Sequence, residues 1–185
     1  VGFVGSRSMA QKPDVAIVTG GSRGIGAATC LLLAKAGYLV VVNYVSNAAA
    51  AKSVVAKIEK AGGEATAIHG DVASENDIVA LFKSADQLGQ LKVLVNNAGV
   101  VDTKARVDEM SGERLARMFA INITGSFLCA REAVKRMSTR HGGTGGAIVN
   151  LSSAAATLGA PGMFVDYAAS KGAIDVFTLG LAREV

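Results

Sequence analysis

The sequence predicts an α/β fold, a doubly wound parallel sheet with helices on both faces and strands in the order 3-2-1-4-5. Three observations carry this. Short apolar runs alternate with helical stretches along the whole chain. The runs read as fully buried strands, so both faces of their sheet need covering, and right-handed crossovers place the helices there. Most of the 22 glycines sit where a strand hands over to a helix or loop.

The elements follow in order. Asp14 to Thr19 contains Val15, Ala16, Ile17 and Val18, and ends at glycines, which makes it the first strand. A helix fits Gly24 to Ala36, a second strand Leu39 to Tyr44, a second helix Ala48 to Ala61 and a third strand Ala65 to His69. Ser74 is placed to cap a third helix running to about Leu88, and Asp77 three residues on gives a weaker form of the capping box. Val93 to Val95 is the fourth strand. Glu113 to Met137 reads as one long helix whose Met118, Ile121, Gly125, Leu128, Cys129 and Ala133 form an apolar stripe for packing on the sheet. Ala147 to Leu151 is the fifth strand, and a last helix starts at about Val165. No repeat or linker divides residues 9 to 185, which are expected to form one domain. Residues 1 to 8 carry no structural period and read as a leader ahead of a natural start at Met9.

Composition narrows the partners. Of 185 residues, 50% are apolar and 18% charged, enough to bury a core. The net charge of +4 comes from scattered residues with no basic block, so no nucleic-acid partner is expected. The two cysteines, Cys30 and Cys129, fall in predicted helices and read as buried free thiols, pointing to a reducing, cytoplasmic setting. The longest uncharged stretch, Gly142 to Val165, is broken by Gly, Ser, Asn and Pro161, so no membrane span is expected. His69 and His141 lack a second ligand at metal spacing, and no metal site is expected.

The first turn reads Thr19, Gly20, Gly21, Ser22, Arg23, Gly24, Ile25, Gly26, between a strand and a helix. It is not the common Gly-x-Gly-x-x-Gly, yet Gly20, Gly24 and Gly26 still permit a tight turn, close approach of backbone to a pyrophosphate, and close helix packing. Dinucleotide folds that prefer NAD place a carboxylate at the end of the second strand. Here Val42, Asn43, Tyr44, Val45 and Ser46 offer none. A 2′-phosphate meets no repulsion there, and Arg23 offers it a charge-assisted bond, so NADP(H) is the preferred cofactor and NAD(H) is still admitted. A Rossmann-type nucleotide site built from Gly20, Ser22, Arg23, Gly24, Ile25, Gly26, Asn43 and Tyr44 is therefore expected.

Tyr167 and Lys171 lie four apart in a helical stretch and so share a face. A phenol with an ordinary value near 10 exchanges protons poorly at neutral pH, and a neighbouring cation corrects this by stabilising the phenolate.

The glycine turn, Asn96-Asn97-Ala98-Gly99 after the fourth strand, Ser153 after the fifth, and Tyr167 with Lys171 occur in one order. Together they closely resemble the short-chain dehydrogenase/reductase family over nearly everything from Asp14 onward. The resemblance implies that Asp71 meets the adenine ring with Val72 beside it, and that Asn97, Ala98 and Gly99 pass the adenosine ribose. It implies that the backbone of Asn122 holds a water in a proton relay and that Ser153 holds a substrate carbonyl. Tyr167 would transfer the proton, and Lys171 would hold both the ribose and Tyr167.

Ser153 lies one residue farther from Tyr167 than the commonest family spacing, which a one-residue loop insertion explains. Ser152 would face the other way and bond loop backbone. Lys92 reads as an exposed charge at a strand end. Members of the family usually continue through a sixth strand, a Pro-Gly turn, a substrate lid and a final strand, so the sequence reads as C-terminally incomplete.

The expected activity is hydride transfer between nicotinamide and a small carbonyl or alcohol. A nucleotide-binding or scaffolding protein without turnover is the alternative. By the same resemblance the chain would assemble as a homotetramer or homodimer, and Leu151 to Val185 is similar to sugar (glucose 1-) dehydrogenase-like and 3-oxoacyl-thioester reductase-like members.

Overall fold

Valine, isoleucine and alanine between Asp14 and Thr19 leave no polar side chain to face water, and the structure buries this run completely. A computed structural model describes residues 12 to 185; the leader expected over residues 1 to 8, with Met9, lies outside them. The first strand, β1 (Asp14–Val18), is the centre of a five-stranded parallel sheet ordered β3-β2-β1-β4-β5, as the alternation of elements predicts. Its neighbours are β2 (Leu39–Tyr44) and β4 (Gln90–Asn96), with β3 (Ala65–His69) and β5 (Ala147–Asn150) outside them.

The pleat sends alternate side chains into two cores. Val15, Ile17, Val41 and Leu94 pack with Ile78, Leu81 and Phe82 of α3 (Glu75–Leu88) and with Cys129, Ala133 and Met137 of α5 (Gly125–Met137). On the other face Ala16, Val18, Val40, Val42, Val93 and Val95 pack with Cys30 of α1 (Gly24–Lys35) and Ala51, Val54 and Ile58 of α2 (Ala48–Lys60). Burial pushes both thiols up to about 12, Cys129 also facing the charge of Glu132, so both stay protonated at neutral pH.

Ser74 caps α3 as expected, its hydroxyl accepting from the Asp77 amide at 3.3 Å. The Asp77 carboxylate accepts in turn from the Asp71 amide at 3.0 Å and from the Ser74 hydroxyl at 3.0 Å. Those two bonds hold it below the usual carboxylate range. Ser74→Ala should cost about 1 kcal/mol in denaturant unfolding, with no change in the slope of the transition. A cost near zero would mean that water replaces the cap.

Three features differ from expectation. Strand β4 runs from Gln90, because its ladder to β1 already begins at Asp14 opposite Gln90. Lys92 is thus inside the strand and half-buried, its ammonium donating to the Thr144 hydroxyl and to the Gly145 carbonyl in the loop before β5. It ties the edge strand to its neighbour; it is not a loose terminal charge. The long helix is interrupted: α4 (Gly112–Phe119) passes through one wide π turn at Ala120–Thr124 before α5 begins. Such turns carry one residue more than an α turn and recur at functional positions. Here the turn carries Asn122. A short helix α6 (Ala155–Leu158) precedes α7 (Val165–Glu184), the helix of Tyr167 and Lys171.

Candidate active site

All the expected residues lie at the carboxyl ends of the strands or in the helices that follow, on both sides of the point where the strand order reverses at β1. That is where doubly wound sheets bind ligands. The glycine turn leaves β1 with Gly20 at φ +61°, a conformation that glycine alone adopts without strain. The turn is held from beneath. The Asn97 side-chain amide donates to the Thr19 and Gly20 carbonyls at 2.8 and 2.9 Å, and the Thr19 hydroxyl accepts from the Asn97 and Ala98 amides at 3.1 and 3.0 Å. Gly26 lies so close that a Cβ there would stand 2.5 Å from both the Asn97 amide nitrogen and the Gly20 carbonyl. Thr19 was legible as part of the turn, yet its bracing role rests on a partner 78 residues away.

Asn43 takes a different place from the one expected. It is fully buried, its side chain accepting from the Gly20 amide at 3.3 Å and donating to the Gly70 carbonyl at 2.9 Å. Its amide therefore supports the turn from inside, since a buried polar group must be paired, and it has no open face for a nucleotide. Tyr44, beside it, is half-buried and meets the His69 ring edge-on at 5.7 Å between centroids. Asp71 is half-buried, with its carboxylate accepting from the Ala73 amide at 2.9 Å, and Val72 is buried in the core.

The turn fits a dinucleotide. Gly24 has open space where a side chain would stand, Arg23 and Ile25 are exposed and Ser22 is half-buried around it. No side chain caps α1, whose first turn contains no acid. A helix start of this kind leaves amides without intrahelical partners, which is the arrangement that suits a phosphate.

The second half of the site is built around Lys171. This ammonium is buried and donates to the Leu151 carbonyl at 2.7 Å, at the end of β5, while lying 5.7 Å from the centre of the Tyr167 ring. Burial pushes it below its usual value, and Asp175 opposes that shift. A Cβ on Gly99 would stand 3.7 Å from the Lys171 nitrogen and 3.4 Å from the Asn122 side-chain oxygen, so the Asn97 to Gly99 loop lies directly against both. The Asn122 side chain accepts from the Val100 amide at 2.8 Å and donates to the Val100 carbonyl at 2.9 Å and the Ser170 hydroxyl at 3.1 Å. It joins loop and helix.

Of the two serines after β5, Ser152 donates to the Lys171 carbonyl at 3.4 Å, a backbone partner in α7 and not in the loop where one was expected. The Ser153 hydroxyl accepts from the Ala155 amide at 3.2 Å, which fixes its oxygen and leaves its proton for another acceptor. One pair gave no sign in the sequence. Arg114 of α4 reaches Asp166, next to Tyr167, at 2.8 Å, and the Asp166 side chain is wholly buried. Burial pushes that carboxyl up, but the bonds from Arg114 and the Tyr167 amide outweigh it and hold it below the usual range.

A parallel doubly wound sheet with a glycine turn at its switch point, and a Tyr-Lys helix on its far side, defines a nucleotide-binding α/β protein. The sequence model of the short chain dehydrogenases matches residues 14 to 185. An uncharacterized oxidoreductase of Escherichia coli K12, YgfF, is 55% identical over 172 residues, 92% of this chain and 70% of that protein. A 3-oxoacyl-[acyl-carrier-protein] reductase of Synechocystis is 40% identical over 93% of this chain and 68% of its own length. A short-chain type dehydrogenase/reductase of Picea abies is also 40% identical, over 92% of this chain and 65% of its own. The chain belongs to the short-chain dehydrogenase family, a family of oxidoreductases that bind NAD or NADP. Among the described residues, no helix is long and apolar enough to cross a membrane.

Proposed function

We propose that this chain binds NADP(H) in preference to NAD(H) and carries the proton-transfer residues of a carbonyl reductase or alcohol dehydrogenase. The observation that carries the reading is the buried Lys171 ammonium between the Tyr167 ring and the Asn97 to Gly99 loop. Gly20, Ser22, Arg23, Gly24, Ile25 and Gly26 would hold the dinucleotide at its pyrophosphate and 2′-phosphate. Tyr44, Asp71, Val72 and the Asn97 to Gly99 loop would flank its adenosine. When bound, the cofactor supplies or accepts the hydride at nicotinamide C4.

Everything else is done by the chain. Lys171 stands beside the Tyr167 ring, and Tyr167 would give its proton to a substrate oxygen that gains negative charge, or take it back in the reverse direction. Ser153, with its oxygen fixed by the Ala155 amide, donates to that same oxygen and orients it. Asn122 holds the loop against α7, and its backbone is the proposed station for a relay water.

We also infer that the protein self-associates as a dimer or tetramer in a reducing, cytoplasmic compartment. Supporting this, Phe127 of α5 stacks on Phe177 of α7 at 3.7 Å, and Val176 and Leu179 stand exposed along the same helix. The name of the Synechocystis relative supports a 3-oxoacyl thioester as the first carbonyl substrate to try.

Thermal unfolding tests the cofactor reading. NADPH at about a hundred times its dissociation constant should add about 2.7 kcal/mol, raising Tm by roughly 5–10 °C, with NADH at equal concentration well behind. Arg23→Ala should lower NADPH affinity about tenfold and leave NADH affinity unchanged, as loss of one charge-assisted bond predicts. Equal shifts from both cofactors would remove the NADP preference, and no shift from either would remove the cofactor site.

A further inference from the structure

We propose that the Arg114–Asp166 pair is a latch that sets Tyr167 against the loop after β4, making Arg114 and Asp166 positioning residues for proton transfer. The proposal rests on Tyr167 being the proton-transfer residue. Asp166 occupies the first turn of α7, immediately before Tyr167. Its Oδ2 accepts from Arg114 Nε at 2.8 Å, and its Oδ1 accepts both from Arg114 Nη2 at 3.3 Å and from the Tyr167 amide at 2.9 Å. The carboxylate thus takes up one of the unpaired amides of the helix start, at the residue whose phenol must be aimed.

The third corner of the guanidinium points elsewhere. Arg114 Nη1 donates to the Thr103 carbonyl at 2.7 Å, in the loop that leaves β4 through Asn97 and Gly99. One side chain on α4 therefore clamps two segments that are adjacent only in the fold. The Ala105 amide donates to the Met163 carbonyl at 3.1 Å and the Asn122 side chain spans Val100 and Ser170, so loop and helix are tied on either side of the latch. Simple anchoring of the helix needs only the Arg114 to Asp166 bonds. The bond to Thr103 goes beyond that, because it fixes the cofactor-side loop to the same guanidinium that fixes Tyr167. A lysine cannot reproduce this, since it lacks the planar fork that serves two acceptors at once.

The test compares wild type with Arg114→Lys, Asp166→Asn and the double variant Arg114→Met with Asp166→Asn, which leaves no unpaired buried charge and so guards against failure to fold. Amide exchange by mass spectrometry follows residues 100–106 and 164–170, with β1 and β2 as internal reference. NADPH affinity is read from its own fluorescence, and kcat and KM with a 3-oxoacyl thioester as carbonyl substrate. Both segments should exchange about tenfold faster together while β1 and β2 stay protected. In the same variants kcat should fall by about tenfold or more, with NADPH affinity within about twofold. Wild-type exchange in either segment, loss of protection throughout the sheet in the double variant, or an unchanged kcat overturns the latch. Tyr167→Phe runs alongside. If it keeps wild-type turnover, the proton-transfer reading falls as well; if it is inactive while the latch variants match wild type, the latch alone falls.

Discussion

Tyr167→Phe should lower carbonyl turnover by about a thousandfold and leave NADPH affinity within about twofold, because it removes one oxygen and nothing else. The ring stays, with its packing and its place 5.7 Å from the Lys171 nitrogen. What goes is the O–H proposed to transfer the proton. Single-turnover mixing of NADPH-loaded protein with substrate separates this from slow product release. Lys171→Met should differ in kind. It removes the cation but also the donor to the Leu151 carbonyl at the end of β5, so turnover and cofactor affinity should fall together. Retained turnover in Tyr167→Phe would move proton transfer to another group, with Ser153 the first to examine.

Gly26→Ala should destabilise the fold and abolish nucleotide binding at once. The added Cβ would stand 2.5 Å from the Gly20 carbonyl and from the Asn97 amide nitrogen, and 3.1 Å from the Gly21 Cα. Two of those neighbours are backbone of the glycine turn, so relief requires moving the turn away from α1. Moving it breaks the bonds from Asn97 to the Thr19 and Gly20 carbonyls. Overpacking of this kind costs about 2–3 kcal/mol, roughly 5–10 °C in Tm for a chain of this length. NADPH should then give no further thermal shift. Gly24→Ala is the contrasting control at the same turn. It meets no atom within 4 Å, and its cost should come from the left-handed backbone at φ +52°. Equal stability of Gly26→Ala and wild type would show that the turn has slack that the packing does not reveal.

Much of the fold was legible because its signals are local. The five apolar runs gave five strands in the expected order, and Ser74, one residue before α3, gave its cap. Misreadings came where a distant partner overrode a local pattern. Lys92 read as a strand end because a cation seldom sits inside a buried strand, and Thr144, 52 residues on, makes it tolerable there. The helical run from Glu113 to Met137 gave no hint of the wide turn at Asn122, whose side chain engages the Val100 backbone and Ser170. Asn43 read as open to a nucleotide, whereas Gly20 and Gly70 claim its side chain from within.

The sequence by itself determined the class of sheet, the place of the glycine turn and the Tyr-Lys helix, because alternation of apolar runs, glycine spacing and a four-residue helical interval are written within a few residues of one another. The tertiary structure alone decided how those parts are held. Thr19 meets Asn97 across 78 residues, Arg114 meets Asp166 across 52 and Asn122 meets Ser170 across 48. No periodicity encodes such pairs. They form because chain closure brings buried polar groups together where water cannot reach them, and each must then find its partner there.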